Sequence, residues 1–307
     1  MVAIDEAEEE KGRPSRRSMA APDMAATPDQ ALAGLDRLDS YVPARPDRRR
    51  RAWAVVWPKV AAGALAVAVW QVVVWSGWRP RTILPGPATV ARAMATDGGV
   101  LVSGALTTLG RAVEGYLVAL VAGTLVAVAV TRLRVLRLAV GPLVTGLQAM
   151  PSVAWVPLAI LLFGLSPRAV LAVTVIGSAP ALAVGAIAGI DSVPPTLQRA
   201  GQVLGATGWR RYWYVVLPGA LPAYVTGMKL GWAFAWRSVM AAELLDQVSG
   251  HQALGRLLAD YQHQVRPADM LGVLVTILAI GLLMDTLLFG RLERAVLARR
   301  GLGQPAA

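Results

Sequence analysis

Cysteine is absent from this 307-residue chain, which excludes disulfides, thiolate catalysis and cysteine-bound metal together. Histidine is nearly absent: His251 and His263 stand alone, without the spacing or carboxylate neighbours of a metal site, and read as surface residues. No G-x-x-x-x-G-K-[ST] run occurs, so the chain has no phosphate cradle and does not bind ATP in the P-loop manner. It also lacks H-E-x-x-H and any evident nucleophile with its base, which argues against an intramembrane enzyme. Charge is scarce, at 16% of residues against 55% hydrophobic, a balance too apolar for an ordinary soluble domain. The opening MVAIDEAEEEKGRPSRRS is acidic and has no apolar core, so it does not read as a cleavable signal peptide.

What the chain has instead is long apolar runs. A helix needs roughly 20 apolar residues to cross a bilayer. Candidates fall near 53–76, 103–130, 136–163, 168–190, 220–245 and 270–290, which predicts an all-α membrane protein with six transmembrane helices. The third run holds Pro151 and Pro157 in QAMPSVAWVPLAILLFG, so a kink or break is expected there. Residues 1–50 are rich in Ala, Pro, Asp and Arg without periodicity and read as a disordered tail, with DQALAGLDRLDSY as a candidate short helix. Residues 51–300 form the membrane domain and 301–307 a C-terminal tail. PGPATVARAMA and GRLLADYQHQ read as short surface helices on the outer side.

A net charge of +11 would suggest nucleic acid in a soluble protein, but here the arginines gather at the ends of apolar runs, as orientation signals do, and no nucleic-acid partner is expected. With the tail inside, the inner segments hold Arg45, Arg48 to Arg51, Lys59, Arg132, Arg134, Arg137, Arg199, Arg210, Arg211, Arg291, Arg294, Arg299 and Arg300. The outer ones hold Arg79, Arg81, Arg92, Arg168, Arg256 and Arg266. This asymmetry predicts both termini in the cytoplasm, and the run Arg48 to Arg51 reads first as a topology signal and second as an anionic-lipid contact.

Between the fourth and fifth runs lies a segment that does not belong in hydrocarbon, residues 191–218, DSVPPTLQRAGQVLGATGWRRYWYVVLP. A helix enters through Ser192 and Pro194–Pro195, with Leu197, Ala200 and Leu204 on one side and Gln198, Arg199 and Gln202 on the other. Gly205 ends it with the left-handed turn that glycine tolerates, and Thr207 is placed to cap a second short helix. At about 1.5 Å per residue the first helix is about 15–18 Å long, too short and too polar to span. It must meet something in the cytoplasm.

The triplet Arg199, Ala200, Gly201, then three residues, Gly205, nine residues, Val215, one residue, and Leu217–Pro218 resembles the cytoplasmic loop of ABC importer permeases, with its pattern E-A-A, three residues, G, nine residues, I, one residue, L-P. ILPGPATV, QAMPSVAWVPLAILLFGLSP, LPGALPAYVTGMKLGWAFAWRSVMAAELL and RLERAV are similar to the branch that imports aliphatic sulfonates, taurine and nitrate. The similarity covers about residues 80–300. It implies a MetI-like type I importer permease of the inner membrane, with a coupling loop at Arg199, Ala200, Gly201, Gly205, Leu217 and Pro218 that docks on a separate ATP-binding subunit. ATP and Mg then belong to that partner, and no cofactor is bound by this chain. The implied partners are the ATPase subunit, an extracytoplasmic solute-binding protein and a second copy of the chain. Arg199 stands where the family has an acid and Gly201 where it has alanine.

Charges inside spans usually face a bundle interior or cavity. On the fifth run Lys229, Trp232, Trp236, Met240 and Glu243 fall on one helical stripe, with Arg237 beside it. Two readings stand: a wall of the translocation path offering cations and tryptophans to an anionic, partly apolar solute, or snorkelling charges and packing tryptophans. Glu243 and Arg237 are expected to be able to pair as an outer gate. Gln148 and Ser152 flank the Met150–Pro151 kink, where freed backbone often lines a cavity. Arg111 and Glu114, close on one helix, are expected to pair with each other, and Asp285 to meet Arg291 or water. The solute is expected to be a small anion of sulfonate, taurine or nitrate type, with a heterocyclic vitamin precursor as the alternative. A secondary transporter is disfavoured, since neither inverted repeats nor midplane coupling carboxylates are evident.

Overall fold

The computed structural model describes residues 48–245 and 252–298. The readings of the N-terminal tail, of His251, of Arg299 and Arg300, and of the C-terminal tail lie outside them. The chain divides into two compact units, 1–65 and 66–307. What is described of the first is the beginning of helix α1 (Arg48–Trp75), which contains Pro58 and takes in the Arg48–Arg51 run that was expected to precede the span.

The second unit is helical throughout its described length. Helix α2 (Pro87–Thr96) leads into α3 (Gly98–Arg132) and α4 (Arg134–Ala149). After a 3-10 turn at Ser152–Trp155 come α5 (Val156–Phe163) and α6 (Pro167–Asp191). Helices α7 (Pro195–Val203) and α8 (Gly208–Arg211) and a π-helical turn at Tyr212–Val216 precede α9 (Leu217–Leu245). Then follow α10 (Leu254–His263), α11 (Pro267–Leu283), a second π turn at Met284–Phe289, and α12 (Gly290–Ala298).

Among the described residues, four stretches are long and apolar enough to cross a membrane: Val56–Trp75, Gly98–Arg132, Pro167–Asp191 and Pro267–Ala298. The third expected span is broken, with Arg134–Ala149 and Ser152–Phe163 meeting at 103°. The break has a local cause: Met150 and Pro151 are both extended (ψ 135° and 129°), because proline disfavours helical backbone in the residue before it. The fifth expected span, α9, has 29 residues and thus about 44 Å of length, ample for a crossing. Lys229, Arg237 and Glu243 make it more polar than the others.

Helix α6 is central, packed along its length by α3 and α9. In hydrocarbon, lipid is as apolar as leucine, so helices associate by close approach at small residues. Among the glycines, the closest approach of one backbone to another is Gly185 of α6 on Gly227 of α9: a methyl group on Gly185 would stand 2.4 Å from Gly227 Cα. Around it, Gly231 admits Leu182, Gly189 faces Ala220 and Tyr224, and Gly123 of α3 faces Ala179 and Leu182. An aromatic group fills the centre, with Tyr116 edge-on to Trp232 at 5.5 Å, Trp232 stacked on Trp236 at 6.4 Å, and Phe289 6.2 Å from Trp232.

Gly227→Ala puts a methyl group 2.6 Å from backbone that no rotamer change can move. We expect it to lower the thermal unfolding temperature of the detergent-solubilised protein sharply. Gly110→Ala, on the same kind of helix with nothing within 4 Å of the new methyl, is expected to be neutral or stabilising by up to about 1 kcal/mol.

Candidate functional site

The segment joining α6 to α9 is built by local chemistry. Pro195 opens α7, where its missing N–H is not needed. At the other end the Ala206 N–H donates to Gly201 O (2.9 Å) and the Gly205 N–H to Gln202 O (3.0 Å), while Gly205 takes φ +84°. That is a Schellman closure, and it requires the left-handed residue that the sequence supplies. Thr207 occupies the N-cap of α8 with extended backbone, but its side chain makes no cap hydrogen bond, contrary to expectation.

The loop is rooted on its inner side. Val193, Val216 and Ala220 form a small buried cluster, and Gly201 lies buried against Val215, whose Cγ2 would be 2.6 Å from an added methyl. From α3, Arg132 places its guanidinium 3.7 Å over the Tyr212 ring and 5.4 Å from Trp209. Cation–π contacts of this kind are worth about 0.5–2 kcal/mol. Arg137 of α4 pairs with Asp191 at the end of α6. The apolar side of α7 is open: Leu197 and Ala200 are exposed, and Leu204 is 86% and its neighbour Val203 87% exposed. Arg199 and Leu217 are exposed as well, and Pro218 is half-buried at the start of α9.

At the end of α9 away from the loop, Glu243 is fully buried and fully engaged. Thr108 Oγ1 donates to one carboxylate oxygen at 2.7 Å and the Gly255 N–H to the same oxygen at 3.2 Å, while Arg111 meets the other at 3.2 Å. Thr108 Oγ1 in turn accepts from the Leu254 N–H at 2.8 Å. Ala253 is the N-cap of α10 and has no side chain able to satisfy these N–H groups. Glu243 and Thr108, from α9 and α3, therefore cap α10 from outside, and the carboxylate meets the positive end of that helix. This corrects two expectations. Glu243 pairs with Arg111 rather than Arg237, and the ion pair of Arg111 described here runs to α9 rather than to Glu114. A Glu and an Arg 132 positions apart carry no pairing signal in sequence.

The rest of the stripe divides. Trp232 and Trp236 are buried in the core and Met240 is half-buried against it. Arg237 is exposed, its Nε donating to Ala233 O at 3.0 Å and its guanidinium 4.7 Å from Phe234. Lys229 meets Asp285 at 3.0 Å, so Asp285 reaches across to α9 rather than to Arg291. Gln148 and Ser152 are half-buried at the broken span, and Ser152 lies beside Gly177 together with Ser238. At the start of α11, Arg266 bridges Asp97 (3.1 Å) and Asp269 (3.0 Å), and Tyr261 donates to Asp97 at 3.1 Å. Burial, followed by that hydrogen bond, pushes the Tyr261 hydroxyl up. Helix α10 is thus no loose surface element, since Leu254, Leu257, Ala259 and Tyr261 are all buried. Among the described residues, no group of three His, Cys, Asp or Glu is placed to hold a metal.

Glu243→Ala leaves Thr108 and the Gly255 N–H without their acceptor and strips Arg111 of a buried counter-charge. Removal of one partner from a buried pair costs about 3–5 kcal/mol. We expect a large drop in unfolding temperature, and a smaller one for Glu243→Gln, which keeps a carbonyl acceptor.

The taurine transport system permease protein TauC of Escherichia coli is 28% identical over 229 residues, covering 69% of this chain and 82% of that protein. The bicarbonate transport system permease protein CmpB of Synechococcus elongatus is 28% identical over 238 residues, covering 73% and 84%. In fold, the inward-facing methionine ABC transporter MetNI superposes with a TM-score of 0.55 at 22% identity, over 66% of this chain and 98% of that one. Residues 100–297, from the third residue of α3 into α12, match the family described as the binding-protein-dependent transport system inner membrane component, and the chain belongs to that family.

Proposed function

We propose that two copies of this permease subunit form the translocation path of an ATP-driven importer for a small anion, with both termini in the cytoplasm and the 191–218 loop coupled to the ATPase subunits. The observation that carries the coupling is the open apolar side of α7. Leu197, Val203 and Leu204 are exposed on a helix pinned by a Schellman turn and braced by Arg132, a surface suited to a protein partner. ATP and Mg are held by that partner. Its movement is passed to α3 through Arg132 and Tyr212, and to α6 and α9 because the loop is their direct connection. A solute-binding protein delivers the solute at the outer face.

The solute class is supported by two lines. The relatives are named for taurine and bicarbonate, each bearing an anionic group. On α9, Lys229 and Arg237 remain at least partly exposed while the acid Glu243 is wholly buried and spoken for. Arg237, Lys229, Gln148 and Ser152 are the path residues in this reading, and Trp232, Trp236 and Met240 shape the wall from behind.

Reporter fusions after Arg51, within 132–137, at Thr207 and after Arg300 are expected on the cytoplasmic side, and fusions at Gly86 and Tyr261 outside. An external Thr207 would overturn both orientation and coupling. In Gly205→Val a β-branched residue must hold φ +84°, at a cost of about 1–3 kcal/mol. The variant is expected to insert normally but to lose ATPase association or solute-stimulated hydrolysis; unchanged uptake at normal expression would refute the loop's role.

A further inference from the structure

We propose that Lys229 and Asp285 form an anion-exchange site within the membrane-spanning part of the chain, in which the travelling anion takes the place of the Asp285 carboxylate on the Lys229 ammonium. This rests on the reading that the path runs along this face of α9 and α11. Lys229 lies two residues from Gly231, the centre of Leu217–Leu245, and Asp285 lies inside the apolar run near 270–290. The two meet at 3.0 Å with side chains 37% and 47% exposed, so the pair sits on the surface of the chain and not in its core. Charges at that depth are costly against lipid tails and belong at a water-filled cavity or a protein contact. The outer pair differs in kind: Glu243 is 0% exposed and its carboxylate accepts three hydrogen bonds, which leaves nothing for a solute.

Asp285 is also held unusually. It belongs to the π-helical turn Met284–Phe289, whose other end drives Phe289, 2% exposed, between Tyr116 and Trp232. Such turns widen the helix locally and occur often at functional sites. Here the turn is anchored in the core by Phe289 while it presents a carboxylate at the surface. Lys229 has three donors, and Asp285 is its ion-pair partner among the described residues.

The physical logic is that of a conducting site, which must bind well enough to admit the ion and weakly enough to release it. A lone lysine at this depth would be an unpaired charge when empty and a trap when filled. A resident carboxylate removes both faults. The empty site is neutral, and a sulfonate or carboxylate group entering exchanges one oxygen anion for another on the same ammonium, a nearly balanced step. The solute class follows: an anion small enough to reach Lys229 with its charged group leading. A cation finds no such exchange, because the carboxylate is held on the turn that Phe289 anchors.

The absence of native cysteine allows a test that needs no knowledge of the solute. Thr226 is exposed one turn from Lys229 on α9. In the complete transporter, Thr226→Cys is reacted with a sulfonate-bearing thiosulfonate reagent and with its trimethylammonium counterpart. With the pair intact the two rates are expected to be similar. Asp285→Asn, nearly isosteric, should favour the anionic reagent by about tenfold, and Lys229→Met the cationic one by a like factor, as one uncompensated charge at close range in partly screened surroundings implies. The double variant should return to parity. A ratio unmoved by Asp285→Asn would overturn the exchange site while leaving a water-filled path in place. A cysteine inert to both reagents in every nucleotide state of an ATP-hydrolysing complex would overturn the path on this face and the exchange site with it. Should Lys229→Met fail to assemble, Asp285→Asn alone decides the matter.

Discussion

The contact on which the rest depends is the crossing of α6 and α9 at Gly185 and Gly227. Without a side chain on either, the two backbones approach more closely than any other residue pair would permit, and packing at such approaches is the main attraction between helices in lipid. The crossing also gives the loop proposed for coupling its mechanical setting. The chain leaves α6 at Asp191 and re-enters as α9 at Leu217, so the loop is the short tie between two helices already locked at their middles. A displacement at α7 has little slack to disappear into. It passes to α6 and α9 directly, and to α3 through the Arg132 stack on Tyr212.

Polar groups occur at three depths, each tying a different set of helices. Inside, Arg137 joins α4 to the end of α6, and Arg132 joins α3 to the loop. At the middle, Lys229 and Asp285 join α9 to the π turn after α11. Outside, Glu243, Thr108 and Arg111 join α9 and α3 to the N-terminus of α10. Their exposures sort them by role. The outer node is sealed and satisfied, as a group that fixes geometry must be in a low dielectric. The Lys229–Asp285 pair is half open, which is what the proposed exchange of partner requires.

Much of this was legible in the sequence where the cause is local. Span lengths follow from apolar runs, the broken third span from Met150–Pro151, and the sharp end of α7 from Gly205, because each depends on a few consecutive residues. What was not legible is which faces meet. Periodicity put Lys229, Trp232, Trp236 and Glu243 on one stripe, and the stripe is real, but it crosses three environments: an exposed ion pair, an aromatic core and a buried cap. A helical wheel gives direction around one axis and says nothing of what stands opposite. The same limit hid the capping of α10, since Ala253 announces no cap and the residues that supply it come from helices elsewhere in the chain.

Gly201 shows how a departure from a family pattern becomes intelligible in three dimensions. Two positions of the motif, Gly201 and Val215, lie fourteen positions apart in the chain yet touch, with no room for a methyl group between them. At the first position the family carries alanine; this chain carries glycine against a β-branched valine. The two are therefore one packing decision rather than two independent residues. A methyl group on Gly201 would stand 2.6 Å from Val215 Cγ2, so alanine there would require that side chain or α7 to shift. The outer side, with Val203 and Leu204 almost fully exposed, is left for a partner to cover. Arg199 lies on the exposed part of the same helix, where the E-A-A pattern has its acid, so the change of sign falls on an open surface and not on the contacts that hold the loop together. The folding of the loop is thus insulated from the substitution, and under the proposed coupling its consequence is confined to the charge of the surface an ATPase would meet.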